Sequence, residues 1–93
     1  MLFVRSLSLD AMFYHVYNQQ TAPLDGFTIG QEYLLVFTHT GTVISISGFT
    51  ATEQRSSQEP TYYWTSFAIG TADSTTVTIR TGERVFGIYA IPL

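Results

Sequence analysis

Two histidines, His15 and His39, are the side chains of this 93-residue chain best suited to general-base or metal-ligand work near neutral pH. Neither has a second histidine or an acid at the spacing that closes a metal site. The chain has no cysteine, so neither a bound metal nor a cofactor is expected. Glu53 and Glu59 could act as the carboxylate pair of a glycosidase, yet both fall in one polar segment without a scaffold to fix their separation. Asp73 and Ser74 sit in an expected turn, where Asp bonds nearby amides. No phosphate-cradling glycine loop, nucleophile elbow or zinc motif occurs. The expectation is a protein that is not an enzyme.

Aromatic rings offer the other chemistry. In "TYYWTSF" (Thr61–Phe67), strand geometry puts Tyr63, Thr65 and Phe67 on one face and Tyr62, Trp64 and Ser66 on the other. Such rings stack on sugars, anchor protein interfaces or fill a core. Tyr62 and Trp64, together with Glu53 and Arg55 of the polar segment Thr50–Pro60, are the candidates for binding a glycan.

The elements that must position these groups are strands. No segment carries a helical period of useful length, while Thr, Val, Ile and aromatic residues are abundant. Strands are expected at Leu2–Leu9, Met12–Tyr17, Glu32–His39, Thr42–Gly48, Tyr62–Ile69, Thr75–Arg80 and Val85–Ile91. "HTGT" at His39–Thr42, "TADS" at Thr71–Ser74 and "TGE" at Thr81–Glu83 read as the breaks between them. Asn18–Gln31 and Thr50–Pro60 read as long loops, the first anchored by Phe27 and Ile29, with Gly30 ending a turn. No linker divides the chain, so residues 1–93 form a single domain. Short strands with such breaks predict an antiparallel β-sandwich of seven to eight strands, jelly-roll-like in form.

Face patterns raise a question of partners. "TTVTIR" alternates cleanly, with Val77 and Ile79 inward and Thr76, Thr78 and Arg80 outward. Ile44 and Ile46 likewise oppose Ser45 and Ser47. Two strands lack a wet face. In "EYLLVF", Tyr33, Leu35 and Phe37 oppose Leu34 and Val36; in "ERVFGIYAIPL", Val85, Tyr89 and Ile91 oppose Phe86, Ile88 and Ala90. A small antiparallel sheet ordinarily keeps one face solvated. Leu34, Val36, Phe86 and Ile88 are therefore the expected interface residues toward another protein chain.

Composition narrows the partners further. Charged residues make up 12% of the chain and apolar ones 45%, a dry surface beside the roughly 25% charge of average globular chains. Four cations, all arginine, against seven acids give a net charge of −3, which offers no cationic patch for nucleic acid. The N-terminal residues lack the pattern of a signal peptide, and no apolar run approaches the ~20 residues of a membrane span.

From Trp64 through "FAIGTADSTTVTIRTGERVFGIYAIPL" the chain resembles the closing half of jelly-roll carbohydrate-binding modules of the galactose-binding-like type. That resemblance implies a glycan-binding module at an extracellular or cell surface. The chain is also similar in manner to small β-sandwich decoration, collar and fibre-head proteins of bacteriophage and viral virions. It is short, free of cysteine and lysine, and rich in threonine. This second likeness implies a virion structural or decoration protein that meets copies of itself or capsid or tail proteins.

Overall fold

The computed structural model describes residues 11–58 and 63–93. The expected strand Leu2–Leu9 and the glycan candidate Tyr62 lie outside them. The described residues form six strands: β1 (Met12–Asp25), β2 (Glu32–Thr40), β3 (Val43–Ser47), β4 (Phe49–Gln58), β5 (Trp64–Ala72) and β6 (Thr76–Pro92). Every pairing is antiparallel, and the chain is all-β, as its composition predicts.

The 17-residue β6 is the spine. Its first part, Thr76–Thr81, lies between the end of β1 (Thr21–Asp25) and β3. Its second part, Arg84–Pro92, lies between the start of β1 (Met12–His15) and β2, and the sheet continues through β5 to β4. The sheet thus has a narrow half and a wide half, and their inner faces bury one another. Ala22, Leu24, Val77 and Ile79 of the narrow half share one core with Leu35, Phe37, Ala68, Ile88 and Ala90 of the wide half. This arrangement has the two packed layers of a sandwich, made from one continuous sheet.

A β-bulge at Phe86 explains how β6 serves both layers. Thr38 pairs with Gly87 and His39 with Val85, which leaves Phe86 opposite no residue. One extra residue reverses the alternation that follows it. Val77, Ile79, Thr81 and Val85 point inward before the bulge, and Ile88 and Ala90 after it. The expected grouping of Val85 with Tyr89 and Ile91 is corrected accordingly. The expected break at Thr81–Glu83 is also absent, because the strand runs through it. A second bulge, between Val43 and Ser45, leaves Ile44 unpaired and 53% exposed. Val43 and Ile46 pack on the core instead.

Both expected long loops are largely strand. β4 occupies Phe49–Gln58 of the polar segment, and β1 continues to Asp25 through register shifts between His15 and Thr21. Phe27 is anchored as expected: its N–H donates to the Thr75 carbonyl at 3.1 Å, and its ring meets Tyr33 edge-on at 4.8 Å. Ile29 is not anchored. It is 63% exposed, carried outward by the turn that Gly30 closes at φ 86°.

Candidate functional site

The two outsides of the sandwich differ in kind. On the narrow half, cross-strand neighbours on the outer face are Thr21, Arg80 and Ser45 in one row and Pro23, Thr78 and Ser47 in the next. Asp25 accepts a 2.6 Å hydrogen bond from the Thr76 hydroxyl beside them. That outside is wet. The wide half presents the opposite composition.

Registers place two apolar rows across the outer face of the wide half. One runs Phe13, Tyr89, Val36, Phe67 and ends at Arg55; the other runs Ile91, Leu34, Ile69 and ends at Glu53. Phe13 and Tyr89 are more than half exposed and lean together with ring centroids 4.7 Å apart. Leu34, Val36, Thr65, Phe67 and Ile69 line a shallow depression of about 300 Å³. Polar rows flank the two apolar ones. Glu32, Thr71 and Thr50 lie on one side; Thr38, Thr65 and Ser57 lie on the other. An apolar band of this extent on a small domain is what marks a contact surface.

The expected interface residues divide over this frame. Leu34 and Val36 lie at the centre of the band, half-buried. Phe86, in its bulge, is half-buried against Tyr63 with centroids 5.4 Å apart. Ile88 is corrected: the bulge turns it into the core, where it is fully buried between Tyr14 and Phe37 as cross-strand neighbours. Tyr89 takes the outward position. Sequence patterns do not single out Phe13, Phe67, Ile69, Tyr89 or Ile91 for this face, although the alternation of "YWTSFAIG" carries the signal for Phe67 and Ile69.

Of the glycan candidates among the described residues, Trp64 is set apart from Glu53 and Arg55. Trp64 shares the inward-facing set with Ser66 and Ala68 and is half-buried opposite His39. Glu53 and Arg55 stand on the outer face, opposite Ile69 and Phe67. Among the described residues neither Glu53 nor Arg55 makes an ion pair.

His39 is fully buried and heads a chain of hydroxyls. Its Nδ1 lies 2.9 Å from the Gly41 carbonyl, which can only accept, so Nδ1 carries the proton. Nε2 then accepts from the Ser66 hydroxyl at 2.6 Å, and Ser66 Oγ accepts from Ser56 at 2.6 Å. Burial holds the imidazole below its ordinary pKa of 6.5, with the Gly41 and Thr40 backbone hydrogen bonds acting in the opposite sense. The chain joins β2, β5 and β4. Its central serine is sealed at 1% exposure, which suits fastening strands better than attacking a substrate. Elsewhere on the inner side, the Tyr14 hydroxyl donates to the Asp25 carbonyl. Its pKa is raised, first by burial and then by Tyr33 and Asp25. No group of three or more metal-ligating side chains occurs among the described residues.

No protein-family model, curated protein or solved structure matches this chain.

Proposed function

We propose that this chain is a non-enzymatic assembly protein, a structural or decoration subunit of a virion. It acts by pressing the outer face of its wide half against protein, either another copy of itself or a neighbouring capsid or tail protein. The observation that carries this reading is the contrast between the two outsides. The narrow half carries Thr, Ser, Asp and Arg with only Pro23 and the bulged Ile44 as exposed apolar residues, whereas the wide half carries Phe13, Tyr89, Val36, Phe67, Ile91, Leu34 and Ile69 in two adjoining rows. The polar rows around that band match the apolar centre and polar rim of protein interfaces. The virion setting draws its support from the character of the chain, which is short, dry-surfaced and free of cysteine and lysine. A glycan-binding role is the weaker reading, because Trp64 is on the opposite face from Glu53 and Arg55.

The test is Leu34→Asp and Val36→Asp, each examined by circular dichroism and by light scattering after gel filtration. The reading predicts folded variants that lose the association of the wild-type chain. Variants that associate as the wild type does would contradict it.

A further inference from the structure

Resting on that reading, we propose that the outer face binds a second copy of itself about a two-fold axis. The axis runs parallel to the sheet, about 5 Å above its outer face, crosses the strands, and passes between the two apolar rows. Such an axis sets each strand over its own copy with direction reversed, so every residue of one row faces the adjoining row of the partner copy.

The pattern of residues is self-complementary under this operation. On β2, Leu34 meets Val36; on β5, Ile69 meets Phe67; on β6, Ile91 meets Tyr89. In each pair a smaller aliphatic side chain opposes a larger or differently shaped one, which favours interdigitation over head-on collision. At the β4 edge the same step brings Glu53 over Arg55, and by symmetry Arg55 over Glu53. Two reciprocal ion pairs result from two charges that have no ionic partner among the described residues of their own chain. The flanking rows obey the same symmetry: the Glu32, Thr71 and Thr50 row lies over Thr38, Thr65 and Ser57, polar on polar. An axis along the strands would instead send Arg55 and Glu53 of β4 over the opposite edge of the sheet, where the rows begin with Phe13 and Ile91 and offer no countercharge.

The available area fits. Five strands at about 4.8 Å span about 24 Å, and four rows spaced by two residues cover about 20 Å. The planar footprint is therefore roughly 500 Å² per copy before side-chain relief is added, about 1,000 Å² for the two copies, which reaches the lower bound of about 1,000 Å² for a specific interface. Packed sheets sit ~10 Å apart and rotate by ~30°, an offset at the β4 edge that the length of the Arg55 side chain spans.

Charge reversal tests the arrangement, using Glu53→Arg, Arg55→Glu and the double variant carrying both, with circular dichroism confirming the fold of each. Sedimentation equilibrium reads the dimer dissociation constant at low salt. Each single reversal creates two like-charged contacts and is expected to weaken the dimer at least tenfold. The double variant exchanges both partners and is expected to return within about threefold of the wild type. Single variants as tight as the wild type would overturn the two-fold pairing while leaving assembly through this face intact. A double variant as weak as the singles would overturn it equally. A wild-type chain that stays monomeric would overturn the pairing, and the assembly reading would then fall only if Leu34→Asp and Val36→Asp also left the binding of every capsid or tail protein unchanged.

Discussion

Adjacent residues on β6 should respond in opposite ways to the same substitution. Ile88 is fully buried in the core, with Tyr14 and Phe37 as its cross-strand neighbours, whereas Tyr89 is 51% exposed on the outer face. Ile88→Asp removes a buried aliphatic side chain, a loss of about 2–5 kcal/mol. It also strands a carboxylate away from water, which neutralises only by raising its pKa several units, at about 1.4 kcal/mol per unit. The sum, about 6–10 kcal/mol, is comparable to the whole stability of a domain this size at about 0.05–0.15 kcal/mol per residue. Tyr89→Asp gives up half of a ring's burial and the contact with Phe13, costing about 1–2 kcal/mol. Circular dichroism and gel filtration on both variants separate the outcomes. Ile88→Asp should be unfolded, and Tyr89→Asp should be a folded monomer. Folded Ile88→Asp protein, or unfolded Tyr89→Asp protein, would refute the bulge at Phe86 and the face assignment built on it.

Stability should fall on mild acidification because of His39. Its native pKa lies below 6.5 through burial, so the unfolded chain takes up a proton that the native chain refuses. The contribution is complete above about pH 6.5 and is lost as pH falls toward the lowered native value, by up to about 1.4 kcal/mol per pH unit. Urea titrations between pH 7.5 and 5.5 should show this slope, and His39→Gln should flatten it; an unchanged slope would rule His39 out as its source. Thr81 is fully buried and its hydroxyl has no hydrogen-bond partner among the described residues, so Thr81→Val should raise stability by about 1 kcal/mol. A measured loss would mean that the hydroxyl is satisfied. At Gly70 an added Cβ would sit 2.2 Å from the Thr50 carbonyl oxygen, so Gly70→Ala should cost several kcal/mol by forcing β4 off β5, in the range of overpacked cores. A thermal midpoint unchanged by that substitution would refute the close approach of the two backbones.

Strict alternation makes about half of this fold legible in the sequence. Tyr33, Leu35 and Phe37, and likewise Val77 and Ile79, are buried as their period predicts, because no bulge interrupts those stretches. The bulged residues Phe86 and Ile44 are neither glycine nor proline, so nothing in their type announces them. Each bulge reverses the faces beyond it, and an unbroken period of two therefore exchanges Ile88 with Tyr89. β4 reads as a loop for a different reason. It is an edge strand whose residues after Phe49 are all exposed, so no apolar alternation marks it, and backbone pairing with β5 alone makes it a strand. The surplus of apolar residues on β2 and β6 is visible in composition. That it forms one continuous band with Phe67 and Ile69 depends on β2 pairing with β5, a long-range choice that no local signal encodes.

Sedimentation equilibrium of the wild-type chain over a range of micromolar concentrations tests the central claim most directly. The chain mass is 10.4 kDa, and the account predicts a concentration-dependent rise to at least twice that value. A single species at 10.4 kDa across the whole range would contradict self-association through the apolar band.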